Sequence, residues 1–193
     1  MRLVAIDFET ADSGADSACA VALVAVEGGR VGPVEHRLIR PPRARFAFTW
    51  LHGIAWQDVA GEPCFGEVWA TLGPLVAGAD YLVAHNAPFD RRVLEACCDA
   101  AGLERPATPF LCTVRLARAA WGVRPTRLPD VCRHLGIPLR HHDAGSDALA
   151  CARIAAAALA EGHAPEAGLV GRRPCRARRG ERQAIEEVRE YRD

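Results

Sequence analysis

The chain has 193 residues, half of them hydrophobic, and its 24 basic and 24 acidic residues cancel. That length fits one domain, or one domain and a tail, with enough chain for a sizeable core. Zero net charge excludes a global basic field, so a polyanionic partner has to be met by local patches. All the basic residues are Arg and none is Lys, so every fixed cationic contact to a phosphate is a guanidinium able to bind in bidentate fashion.

The opening stretch "RLVAIDFETAD" (residues 2–12) is apolar on both faces up to Asp7, which predicts a strand buried on both sides near the centre of a sheet. Side chains alternate along a strand, so Asp7 and Glu9 share a face, with Cα atoms roughly 6.5 Å apart. Like charges that close repel unless a cation lies between them. Oxygen ligands suit a hard divalent ion such as Mg²⁺ or Mn²⁺. Taken alone, such a pair also fits a strand that ends at the surface with two solvated acids, so further ligands must come from elsewhere.

Strands are expected at 20–26 and 34–39, joined by the turn "EGGRVG". Short connections among the first three strands suggest an antiparallel meander. Helical spacing of Phe65, Val68, Leu72 and Leu75 predicts a helix over 64–76. A short buried strand follows at 81–84. The next helix starts at "PFD", where Pro88 costs no hydrogen bond in a first turn. "FLCT" reads as a short fifth strand, "VRLARAAW" and "LPDVCRHL" as helices, and 146–161 as an Ala-rich helix. Strands first, then strands alternating with helices, argue for an α/β fold: a mixed sheet with helices on its faces. After residue 162 the pattern changes to the basic "GRRPCRARRG" and a short candidate helix, dividing the chain into a domain of residues 1–162 and a tail of 163–193.

The eight cysteines show no C-x-x-C spacing, which argues against a zinc site and for buried thiols. The N-terminus has no signal-peptide pattern. The Ala-rich stretch is too short to span a membrane and carries Arg153. The expected setting is a reducing cytoplasm.

Two further acids sit at helix starts. Asp90 in "LVAHNAPFD" lies in a first turn, where the helix dipole favours its ionised form. Asp147 in "HHDAGSD" begins the Ala-rich helix, with His142 five residues before it. Each is an ordinary helix-start residue by itself; the set in one chain is much harder to obtain by chance.

"DFET", "HNAPFD" and "HHDAGSD" resemble the three motifs of the DEDDh (DnaQ-like) 3′–5′ exonucleases, and the third fits His-x-Ala-x-x-Asp through His142, Ala144 and Asp147. The segments "HNAPFDRRVL" and "LCTVRLARAAW" are similar to the exodeoxyribonuclease X branch. The likeness covers about residues 1–160, and Cys112-Thr113 departs from the Asp-Thr of many relatives. It implies a ribonuclease H-like fold, a five-stranded mixed sheet flanked by helices. It also implies two Mg²⁺ ions, with Mn²⁺ as a substitute, held by Asp7, Glu9, Asp90 and Asp147. His142 is then the general base, and nucleoside 5′-monophosphates leave the 3′ end of DNA, single-stranded DNA foremost. Substrate contacts carried over are Phe8, Thr10, Leu51, His52, Asn86 and Phe89; "LHGI" (51–54) resembles the segment that lies against the terminal nucleotide. The resemblance leaves open RNA as substrate, a role in DNA repair, and a DNA polymerase or a second copy of the chain as partner.

Two acid-free stretches are candidate strand-binding surfaces. Residues 36–57 interleave Arg37, Arg40, Arg43 and Arg45 with Phe46, Phe48, Trp50 and Trp56, which suits phosphates and stacked bases. They fit a meander edge with core aromatics as well. Residues 106–127 carry Arg115, Arg118, Arg124 and Arg127, on what could equally be a solvated helix face. In the tail, Ile185, Val188 and Tyr191 form an apolar stripe suited to docking.

Overall fold

The computed structural model describes residues 1–171. Five strands, β1 (Arg2–Thr10), β2 (Ala18–Glu27), β3 (Arg30–Leu38), β4 (Tyr81–Ala84) and β5 (Phe110–Cys112), form one sheet in the order β3-β2-β1-β4-β5. The first three are an antiparallel meander, and β4 and β5 run parallel to β1. The expected α/β, ribonuclease H-like architecture is the observed one. The carboxyl ends of β1, β4 and β5 share one edge, where ligands bind in open sheets of this kind.

Seven helices accompany the sheet: α1 (Thr49–His52), α2 (Trp56–Val59), α3 (Phe65–Val76), α4 (Pro88–Ala100), α5 (Thr113–Trp121), α6 (Leu128–Leu135) and α7 (Ala144–Ala160). On one sheet face Val4, Ile6 and Phe8 of β1 pack with Val21 and Leu23 against Val68 and Leu72 of α3 and Val93 and Leu94 of α4. On the other, Leu3 and Ala5 join Ala20 and Ala22 beneath α7. Asp7 pairs with Ala22 and Glu9 with Ala20 across the strands, so both acids lie on the α7 face. Alanines meet alanines there, since α7 presents Ala144, Ala148, Ala152 and Ala155. These small side chains let the helix lie close to the sheet, and the first turn of α7 comes down onto the end of β1.

Three details differ from expectation. Strand β3 starts at Arg30 and runs through Pro33. Pro33 reads as a breaker, but β3 pairs only with β2 and a missing N–H is harmless on an outer strand. Helix α7 begins at Ala144, because the Asp143 carboxylate caps it by accepting from the Ser146 N–H at 2.9 Å. The four-residue helices α1 and α2 occupy a stretch with no helical periodicity.

Beyond residue 162 the chain returns to the domain. A 3₁₀ turn at Pro165–Gly168 brings Leu169 into a bridge with Leu111 of β5, and the Val170 N–H donates to the Phe110 carbonyl at 2.9 Å. The candidate tail helix with Ile185, Val188 and Tyr191, and most of the basic stretch, lie outside the described residues. Six of the seven described cysteines are buried thiols and Cys64 is exposed. Among the described residues no helix is long and apolar enough to cross a membrane.

Candidate active site

Four carboxylates gather where β1 ends. Ligand oxygens of Asp7, Glu9 and Asp147 lie within 4.8 Å of one another. Asp90 stands beside them, fully buried, its Oδ1 accepting the Phe8 N–H at 3.1 Å. The local route to Asp90 is tight. After β4 the chain turns through Asn86 at φ 61°, whose carbonyl accepts the Phe89 N–H, and Pro88 opens α4.

Among the described residues no Arg side chain pairs with these acids. Burial is the main cause that pushes the carboxyls of Asp7 and Asp90 well above the usual range, and the other acids add to it. Glu9 is raised from its ordinary 4.5 to about 7 by burial and by the charges of Asp147 and Asp143. Asp147 is raised by burial, against the opposing pull of His141. Its Oδ2 is satisfied by the His141 Nδ1 at 2.9 Å and the His142 N–H at 3.1 Å. Its Oδ1 is buried with no hydrogen-bond partner among the described residues. An orphan carboxylate oxygen beside two more carboxylates is a donor set that a hard divalent cation completes.

Above the carboxylates lies a cleft of about 320 Å³. It is lined by β1 from Asp7 to Thr10, by Phe48, Trp50, Leu51 and His52 at and just before α1, and by Phe89, His141, His142 and Asp147. His142 is held at φ 66° with its ring stacked on His141 at 3.8 Å between centroids. Burial and the neighbouring His141 lower its pKa, which favours the neutral imidazole.

The structure sorts the carried-over substrate contacts. Phe8, Thr10, Leu51, His52 and Phe89 line the cleft. The Phe8 side chain belongs to the core on the opposite sheet face, only 3% exposed. Asn86 lines the adjoining hollows with Phe89 and His85. His52 has both ring nitrogens engaged: Nδ1 accepts the Ile54 N–H at 3.1 Å, so Nε2 carries the proton and donates to the Thr10 carbonyl at 3.2 Å. It pins α1 to the end of β1.

Several of the Arg candidates are spoken for. Arg43 grips Asp12 and Asp16, Arg115 donates to the Leu169 carbonyl, Arg118 to Thr126 Oγ1, and Arg127 pairs with Asp130. Two residues escaped the sequence reading. Asp143 is a fifth acid that raises Glu9, and its only signal was Ser146 three residues later. His141, passed over on spacing, is the imidazole that holds Asp147.

Residues 4–155 match the family model of RNase_T, described as exonuclease. The chain is 30% identical over 156 residues to a PolC-type DNA polymerase III of Thermotoga maritima, covering 78% of this chain and 11% of the polymerase. It is 36% identical over 97 residues to exodeoxyribonuclease 10 of Escherichia coli strain K12, covering 50% of this chain and 38% of that protein. The solved structure of exonuclease X in complex with 5′-overhanging duplex DNA superposes with a TM-score of 0.68 at 27% identity, covering 86% of this chain and 96% of that one. The match thus spans well under half the length of either curated relative.

Proposed function

The chain belongs to the DEDDh exonuclease family, whose members depend on divalent metal, and on that premise we propose that it is a 3′–5′ exonuclease hydrolysing DNA to nucleoside 5′-monophosphates. The observation that carries this reading is the carboxylate cluster: Asp7, Glu9 and Asp147 within 4.8 Å, one oxygen of Asp147 orphaned, and Asp90 buried alongside. In this reading the four acids hold two Mg²⁺ ions, for which Mn²⁺ can substitute. Bound there, such ions polarise a phosphoryl oxygen, help to ionise water and neutralise charge on the leaving oxygen.

The chain's own residues do the rest. Phe89, Leu51 and the His52-pinned helix α1 enclose the terminal nucleotide over the carboxylates. The neutral His142 imidazole takes a proton from the attacking water. Oxygen adds to phosphorus, the bond from phosphorus to the upstream 3′ oxygen breaks, and the shortened strand keeps a 3′-hydroxyl while the terminal nucleotide leaves as its 5′-monophosphate. The catalytic unit in this reading extends through residue 171, because Leu169 and Val170 are bonded to β5. A reducing, cytoplasmic setting fits the buried thiols.

The test is hydrolysis of matched DNA and RNA oligonucleotides, each with a free or a blocked 3′ end, in Mg²⁺ and in Mn²⁺. Release of 5′-monophosphates from free 3′ ends of DNA supports the proposal. Cleavage confined to RNA, or insensitive to the 3′ block, overturns it. The similarity to PolC-type polymerases favours a second reading, a proofreading domain that works beside a polymerase. Co-purification with a polymerase that is lost on removing residues 172–193 would support it.

A further inference from the structure

We infer that Trp50 is a stacking platform for the nucleobase one step upstream of the scissile phosphate, an inference that rests on the nuclease reading above. Trp50 is 79% exposed, more than any other large hydrophobic residue described. The other three tryptophans are engaged by their own chain. Trp69 stacks on Phe65 at 5.5 Å, Trp56 meets Phe46 edge-on, and Trp121 donates its Nε1–H to Glu161. Trp50 has no ring partner and no hydrogen bond among the described residues, yet it lines the same cleft as Asp7, Glu9 and Asp147.

Its mounting is rigid. Ala47 and Phe48 donate their N–H groups to the Ala11 carbonyl at 2.7 and 3.3 Å, the Thr49 hydroxyl donates to the Ile54 carbonyl at 2.7 Å, and His52 is fixed at both nitrogens. A large flat ring has only two side-chain torsions to lose when a base covers it, and the backbone that carries it is already fixed. Phe89 lines the same cleft, with the Arg92 guanidinium 5.9 Å over its ring. A strand whose last phosphodiester rests on the carboxylate floor passes its next base over the Trp50 lip. Every base has a π-face, so this contact tolerates any sequence. It reads a base and not a sugar, and therefore does not separate DNA from RNA.

The test compares wild type, Trp50→Ala and Trp50→Phe on three substrates. These are a single-stranded DNA oligonucleotide, the same oligonucleotide lacking its penultimate base, and the 4-nitrophenyl ester of thymidine 5′-monophosphate, which has a single base. Trp50→Ala should lower kcat/KM on the intact oligonucleotide by roughly 10- to 100-fold, mainly through KM, and Trp50→Phe should recover most of it. Removing the penultimate base should cost wild type a similar factor and Trp50→Ala little more. The loss on the ester should be at least about tenfold smaller than on the oligonucleotide. Equal losses on oligonucleotide and ester would overturn the inference by making Trp50 a structural residue. No loss on the oligonucleotide would overturn it too, leaving the ring to a protein partner. If wild type cleaves neither oligonucleotide nor ester, the nuclease reading itself falls and takes this inference with it; an active wild type with an unimpaired Trp50→Ala sinks this inference alone.

Discussion

Asp12 and Asp16 follow Asp7 and Glu9 by only a few residues, yet the two groups of acids are treated in opposite ways. Arg43 reaches Asp16 with two nitrogens at 2.7 and 2.8 Å and Asp12 with two at 3.2 and 3.3 Å. Its guanidinium is the main cause holding both carboxyls below their ordinary value of 3.8. Gly14 leaves room for this grip, because a Cβ there would collide with the guanidinium. The clasp closes the Ala11–Ser17 loop on itself and on the segment leading to α1. At Asp7, Glu9, Asp90 and Asp147 no guanidinium is supplied among the described residues, and all four carboxyls are raised. One cluster is complete within the chain and serves the fold. The other is costly to the bare fold and, on the function proposed above, is completed by a cation from solution.

The contrast predicts opposite signs for similar substitutions. Asp7→Asn should abolish nuclease turnover and raise the melting temperature of the metal-free protein. The rise should be roughly 2–4 °C for each kcal/mol of repulsion relieved, read by differential scanning calorimetry. His142→Ala should reduce kcat by about 10²- to 10⁴-fold, the usual contribution of a general base, and should remove the rising limb of the pH–rate profile below neutrality. Retention of that limb would transfer the proton-accepting role away from His142, with His141 the group to examine next.

Stability against pH should separate the clusters as well. The folded protein holds protons on its raised acids more tightly than the unfolded chain does. Metal-free stability should therefore fall as pH rises from about the ordinary carboxyl values towards 7, with Glu9 alone accounting for roughly 3 kcal/mol. The clasp works in the other direction. The stability it gives is present above 3.8 and is lost as pH drops through the lowered values of Asp12 and Asp16. The smallest effect expected is from Arg43→Ala, a loss of about 1 kcal/mol in thermal or denaturant unfolding, since the guanidinium is partly exposed. Its turnover should fall far less than that of Asp7→Asn.

Much of the carboxylate cluster was legible in the chain because each member carries a local signal. Asp7 and Glu9 follow from period two in an apolar run, and Asp90 and Asp147 from helix starts. The clasp was not legible, because Arg43 meets acids 27 and 31 residues away and nothing local marks the pairing. The same Arg, read by composition, looked like a phosphate contact. Helices α1 and α2, at four residues each, are too short to show a period. His52 was read as a substrate contact from its place in "LHGI", but only the folded backbone reveals that both its nitrogens are engaged.

If the raised carboxylates form a divalent metal site, Mn²⁺ titration followed by thermal unfolding at pH 8 reveals it without any nuclease assay. Wild type should gain melting temperature with rising Mn²⁺, as expected of an ion that binds only the folded state. Asp7→Asn should start higher and gain little. A wild type indifferent to Mn²⁺, or an Asp7→Asn protein that responds as strongly as wild type, would contradict the account.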